Sequence, residues 1–348
     1  MTSSLPPGAH WIEDLLRRAI AVGASDLVLE PDDGGGWAAI QRHDGWRSQL
    51  SQITAAEGGA ALARLKALAQ LPAYISDEPQ DGSFDATPFG RQGRIRLAVL
   101  PTVRGQRLAL RLPALPAVPA LDHLGLEPAA VAGLRQVLRQ PDGLLLVSGP
   151  SGAGKTTTLH ALLQEITEIW PERCVIAIED PVERRLPGVV HVAVQESRGL
   201  GPEACLRAAL RQDADVVVVG EVRDGHTARA CVQAGLSGHL VLASIHAPRA
   251  REVVPRLFEM GVDPDLLLPA LRGVLAQRLL RRSGGLAGRH LVADWIAVDD
   301  EARSNWRHRQ PAAIALNTCM DHSAAALIAS GQTEAQEVER VLGSPPPG

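Results

Sequence analysis

Gly149-Pro-Ser-Gly-Ala-Gly-Lys155-Thr156 constrains this chain more than any other stretch. It fits the pattern G-x-x-x-x-G-K-[ST], follows the apolar run Leu144–Ser148 and precedes the helical segment TTLHALLQEI. Glycines let the backbone wrap phosphate groups, so that successive N–H groups and a helix N-terminus face the negative charge. Gly149, Pro150, Ser151, Gly152, Ala153, Gly154, Lys155, Thr156 and Thr157 are therefore the expected nucleotide-binding residues. Lys155 is expected to reach the β- and γ-phosphates of ATP, and the Thr156 hydroxyl to ligate Mg²⁺.

Composition sharpens this reading. Among 35 basic residues only Lys66 and Lys155 are lysine, so a lysine inside the phosphate loop is a specific choice; Lys66 reads as a helix-surface charge. A formal net charge of -4 and a pI near 6.3 exclude a general polyanion coat, and without an aromatic stacking run no nucleic-acid partner is expected. Cys174, Cys205, Cys231 and Cys319 form no C-x-x-C pair and read as small hydrophobes in a reducing cytosol. No apolar stretch reaches the length of a membrane span, and MTSSLPPGAH has no signal-peptide pattern. A cytoplasmic location is expected, with any membrane role peripheral.

At 348 residues the chain has room for two domains. Ile12, Leu15, Leu16 and Ile20 predict a helix over residues 11–22, followed by a strand from Ser25 to Pro31. A second helix is predicted near residues 55–70, and alternating strands through residues 94–112. Residues 1–112 thus read as a small α+β domain. Pro113, Pro116 and Pro119 mark residues 113–120 as a linker. In residues 121–348, short apolar runs at Leu144–Ser148, Cys174–Ile178, Val216–Val219 and Leu240–Ala243 alternate with helices. That rhythm predicts a parallel sheet covered on both faces. The closing SPPPG reads as a frayed tail.

Asp213-Ala-Asp-Val-Val-Val-Val-Gly-Glu221-Val-Arg-Asp224 places acids just past a β-branched strand, at the sheet edge where ligands sit in α/β folds. With Ile178-Glu-Asp-Pro-Val-Glu183 and Ser237-Gly-His-Leu-Val-Leu-Ala-Ser-Ile-His246, it follows the phosphate loop in a fixed order. This set closely resembles the aspartate box, Walker B and histidine box of the type II secretion and type IV pilus ATPases. Ala24-Ser-Asp, Leu29-Glu-Pro, Pro79-Gln-Asp-Gly82, Leu206-Arg-Ala-Ala-Leu-Arg-Gln-Asp213, Gln277-Arg-Leu and Gly331-Gln-Thr extend the resemblance over nearly the whole chain.

The resemblance implies a RecA-like P-loop ATPase domain preceded by a PAS-like α+β domain, assembled as a ring, with a hexamer expected. It implies Mg-dependent ATP hydrolysis that powers secretion or pilus assembly, with an inner-membrane platform protein as partner. It favours Glu183 as the water-activating residue and Glu221 as the Mg²⁺-linked acid, with Glu179 also available; which carboxylate is the base stays open. His239 and His246 match the histidine-box positions that sense the γ-phosphate, and Arg96 and Arg111 match amino-domain arginines that close over the nucleotide.

Departures shape the expectations. The family's S-D-I-H is Ser25-Asp-Leu-Val28 here, and its L-H-T is Ile245-His-Ala247, which removes a hydroxyl beside the site. Arg281-Arg-Ser-Gly-Gly-Leu replaces the cysteine-zinc module, so no structural zinc is expected. With the S-D motif at Ser25, no counterpart of the family's extra amino-terminal domain is expected before it, which leaves open the contact with the membrane assembly protein that domain grips. Length and zinc loss are similar to the retraction ATPases, whereas Glu179–Glu183 and Asp294–Asp299 are closer to the secretion and extension branch. The alternative is a nucleotide-gated assembly scaffold with little productive hydrolysis.

Overall fold

The computed structural model describes residues 6–113, 118–285 and 288–343. Pro116, Leu286 and the closing SPPPG lie outside them. The chain divides into two compact units, residues 1–117 and 118–348.

In the first unit, α1 (Pro7–Ala21) leads to β1 (Asp26–Pro31), β2 (Trp37–His43) and β3 (Trp46–Ile53). Then come α2 (Ala55–Leu68), β4 (Gln80–Asp85), β5 (Arg94–Thr102) and β6 (Gly105–Arg111). The six strands form one sheet, ordered β3-β2-β1-β6-β5-β4, with every neighbouring pair antiparallel. Helix α1 begins at Pro7, earlier than the apolar spacing predicts, because proline is tolerated in a first turn where its missing N–H costs nothing. Its Ile12, Leu15, Leu16 and Ile20 pack into a core with Leu65 of α2 and Ile95, Leu97 and Val99 of β5. A reciprocal Thr54–Glu57 capping box starts α2.

Lys66 corrects the reading of a surface charge. It is 1% exposed, and its ammonium donates to the Ile75 carbonyl at 2.6 Å. Burial lowers its pKa. The long stem covers core surface while the head finds a carbonyl, a disposition helical spacing does not reveal.

The second unit runs through α3 (Pro128–Leu138), β7 (Gly143–Ser148), α4 (Lys155–Ile169), β8 (Val175–Glu179) and β9 (Val189–Ala193). It continues with α5 (Pro202–Ala209), β10 (Val216–Val222), α6 (Gly225–Leu236), β11 (Leu240–Ile245), α7 (Ala250–Glu259) and α8 (Pro264–Ala270). It closes with β12 (Leu271–Arg281), β13 (Arg289–Ala297), α9 (Asp300–Arg307), α10 (Met320–Ala329) and α11 (Ala335–Leu342). Seven strands form a sheet ordered β13-β12-β7-β11-β10-β8-β9. All pairs are parallel except β12–β13. Alternate residues of β7 feed two cores, Leu144 and Leu146 one, Leu145 and Val147 the other. Burial on both faces explains the unbroken apolar runs. Cys205 and Cys231 lie in the core, where burial pushes the Cys231 thiol up to about 12; Cys174 and Cys319 are half-buried.

Glu337 fastens α11 to β12. Its carboxylate accepts Arg281 at 2.6 Å and Arg340 at 2.8 Å. Burial alone would raise its pKa, but the bonds from Arg340 and Arg281 outweigh that and hold it at about 2, against 4.5 for a free carboxyl. The folded state therefore binds the proton less well than the unfolded chain. This stability is complete above about 4.5 and is lost as pH falls toward 2. Glu337→Gln should cost about 3 kcal/mol at neutral pH, read from urea unfolding, and flatten the acid dependence over that window. A variant with the same acid slope would refute this assignment.

Candidate functional site

The phosphate loop joins the carboxyl end of β7 to the first turn of α4. Gly149 (φ 147) and Gly154 (φ 90) hold conformations that a side chain would strain. Lys155 opens α4, is 9% exposed and turns into the loop, donating to the carbonyls of Gly149 at 2.7 Å and Pro150 at 3.2 Å. Burial lowers its pKa, opposed by Glu221 and reinforced by Arg278. Among the described residues no carboxylate forms an ion pair with this ammonium. A buried cation held by neutral carbonyls fits an anionic ligand, and Thr156 and Thr157 are exposed next to it.

Gln277 on β12, part of the Gln277-Arg-Leu motif, underpins the loop. Fully buried, it donates to the Ala153 carbonyl at 2.8 Å and accepts from the Thr158 hydroxyl at 2.9 Å. Gln277→Leu leaves both partners buried and unpaired, and should destabilise the fold by about 1–3 kcal/mol in denaturant titration while weakening nucleotide binding. Unchanged stability would show that the loop does not depend on it.

Three loops at the carboxyl edge of the sheet bring charged groups together. Glu221, near the end of β10, is in contact with the His246 ring just past β11 and ion-paired with Arg223 at 2.5 Å. Arg223 also meets Asp180 after β8 at 3.3 Å. Burial raises the Glu221 carboxyl, but Arg223, His246 and Lys155 together hold it below the ordinary range. Two strand steps, about 10 Å, separate β10 from β7. Asp224 caps α6, accepting the His226 and Thr227 amides at 2.8 Å, so its part is structural.

Other expected residues fall elsewhere. His239 precedes β11 at the opposite edge: its carbonyl accepts the Gly143 amide at the amino end of β7. The six residues of β11 put it about 20 Å from His246, so within this chain it does not stand beside its own phosphate loop. Of the two expected histidines, only His246 lies at the carboxyl edge with Glu221 in this chain. Glu179 is buried and turned inward, its Oε1 2.7 Å from His160 Nε2 of α4. Glu183 is exposed on the loop after β8. Arg96 and Arg111 face each other across β5 and β6 on an exposed face of the first unit, and Asp26 pairs with Arg111 at 3.2 Å. At Ala247, the Ser148 hydroxyl donates to the carbonyl at 2.7 Å and accepts the amide at 3.0 Å, so the backbone is fixed without a threonine hydroxyl.

A cavity of about 480 Å³ lies in the second unit, lined by His123, Glu127, Arg282, Arg289, His290 and Ser323 among others. Arg289 reaches from its wall to the Gly152 carbonyl at 3.4 Å, which ties the cavity to the phosphate loop. Its residues come from three separate segments, and no local motif announced it.

Fold and site together define an α/β protein with a phosphate loop at the carboxyl edge of a parallel sheet. The chain belongs to the type II/IV secretion system protein family, whose model it matches over residues 3–340. It is 36% identical to the type II secretion system protein HxcR of Pseudomonas aeruginosa over 96% of this chain and 77% of that one. It is 35% identical to the type IV pilus assembly ATPase PilB of Thermus thermophilus over 78% of this chain and 30% of the relative. Further curated relatives are covered over 49 to 59% of their length. The fold is similar to that of the Legionella pneumophila ATPase DotB, with a TM-score of 0.75, 18% identity and 97% of each chain covered. Among the described residues no helix is long and apolar enough to cross a membrane.

Proposed function

We propose that this chain is a cytoplasmic, Mg-dependent ATPase motor of a type II secretion or type IV pilus system. The observation that carries the reading is the buried Lys155 in its glycine loop, with Glu221 and His246 paired at the same sheet edge. Residues 121–348 are read as a RecA-like domain, supported by the strand order in which β11 separates β7 from β10. Residues 1–112 are read as a PAS-like domain, and residues 113–120 as the linker about which the two domains swing. ATP hydrolysis drives that swing through different affinities for ATP and ADP.

In this reading the loop amides and Lys155 bind the phosphates, and the adenosine enters the cavity beside Gly152. Thr156 and Glu221 would hold Mg²⁺, which neutralises phosphate charge when bound. Glu183 activates water, a reading supported by its exposure and by the inward turn of Glu179. His246 links Glu221 to the loop after β11, where it can register loss of the γ-phosphate. Arg96 and Arg111, adjacent on one sheet, stabilise charge during transfer as planar forks. The chain works as a homo-oligomeric ring, a hexamer in this account, at the cytoplasmic side of the inner membrane, and passes its motion to a platform protein.

Phosphate release from Mg-ATP by the assembled ring tests this. A scaffold that binds nucleotide without turnover was suggested by Ala247, but the Ser148 bonds already secure that backbone. Single-turnover hydrolysis separates the two, and the retraction reading, motivated by length and the missing zinc module, is not better supported than assembly.

A further inference from the structure

Behind the carboxylates of the site lies a buried cluster that the proposed mechanism does not use. Glu179 at the end of β8 stands between His160 on α4 and His191 on β9, and all three side chains are at most 7% exposed. His160 Nε2 is 2.7 Å from Glu179 Oε1. His191 Nε2 accepts the backbone N–H of Leu186 at 2.9 Å. Because a backbone amide can only donate, that nitrogen carries no proton, and the ring proton of the neutral imidazole sits on Nδ1. Nδ1 faces Glu179 Oε2 at 3.5 Å, close enough for electrostatic contact though not a formed hydrogen bond, and neither atom has a hydrogen-bond partner among the described residues.

The chain of contacts has a direction. It runs from α4, the helix that opens on Lys155, through Glu179 to His191, and from His191 to Leu186 on the loop carrying Asp180 and Glu183. We propose that His191 is a positioning residue for ATP hydrolysis. As a neutral imidazole it pins the carboxylate loop through the Leu186 amide, and Glu179 with His160 ties that loop to the phosphate-loop helix.

Protonating Nε2 would set one donor against another and release Leu186, so the loop loosens in acid. The charged and titratable groups facing His191 are Glu179 on β8, His160 on α4 and Arg185 in the loop itself. Burial lowers the His191 pKa, Glu179 opposes this, and His160 and Arg185 add to the lowering. The neutral form therefore prevails at physiological pH, and the loosening sets in on the acid side of the usual histidine value of 6.5.

The inference rests on the motor reading, and the test separates the two. In the full chain, kcat, KM and the pH profile between 5 and 8 are compared for the native protein, His191→Leu and His191→Gln, alongside hydrogen exchange of the segment around Leu186. Glutamine can accept the amide at Oε1 and donate toward Glu179 without titrating. His191→Leu should lower kcat about tenfold, the worth of one buried hydrogen bond, with KM within about twofold, and should speed exchange around Leu186. His191→Gln should restore most of the turnover and protection, and remove the acid fall in kcat. Native-like kcat, profile and exchange in His191→Leu would overturn the proposal, as would an unchanged acid fall in His191→Gln. If His191→Leu fails to fold, the His191→Gln profile decides alone. If the native ring shows no turnover, the motor reading fails, and exchange around Leu186 still decides whether His191 pins the loop.

Discussion

Lys155→Ala should reduce ATP turnover at least about a hundredfold and weaken nucleotide binding. The ammonium is buried in the loop and bonded to the Gly149 and Pro150 carbonyls, so it stands where phosphate oxygens would exchange with those carbonyls. Truncation removes the loop's compact positive charge and leaves the two carbonyl oxygens facing the ligand. Lys155→Arg should not rescue turnover: a planar fork needs more room than an ammonium between Gly149 and the start of α4. In a chain that uses arginine for every other cation except Lys66, this position demands lysine for its shape. Phosphate release and fluorescent-nucleotide titration measure the two effects. A variant keeping more than about a tenth of the native rate would mean that the loop does not handle the transferred phosphoryl group.

Glu221→Gln should lower turnover by about 10²–10³-fold while nucleotide binding persists. The amide keeps the shape of the carboxylate but loses the charge that pairs with Arg223 and His246 and that is assigned to the metal. Because the phosphate loop itself is untouched, the substitution separates binding from chemistry, the opposite signature to Lys155→Ala. Trapped ATP on the variant, seen as bound nucleotide without phosphate release, is the expected result. Equal loss of binding and turnover would place Glu221 among groups that merely hold the fold.

Local pattern carried the reading where one strand and its neighbouring turn decide the geometry. The phosphate loop was legible because an apolar strand, spaced glycines and a helix start coincide within a short stretch. Arg96 and Arg111 entered only through the family resemblance, and only the register of β5 on β6 shows that they face each other. His239 and His246 sit in one box, yet the extended strand between them carries them to opposite edges of the sheet, which proximity in sequence hides. Gln277 lies 124 residues from its partner Ala153, and His191 gained significance only when β9 paired with β8. Side-chain direction misled at Lys66 and Glu179, where burial pairs a charged head with a distant carbonyl or ring. Sequence spacing reports which face a residue occupies on its own element; it does not report what another element brings to meet it.

Mg-dependent phosphate release by the purified chain, measured with and without ring assembly, tests the central claim most directly. The account predicts turnover that requires Mg²⁺, rises on assembly and is lost in Lys155→Ala. Tight Mg-ATP binding with no release, even from the assembled ring supplied with its platform protein, would contradict it.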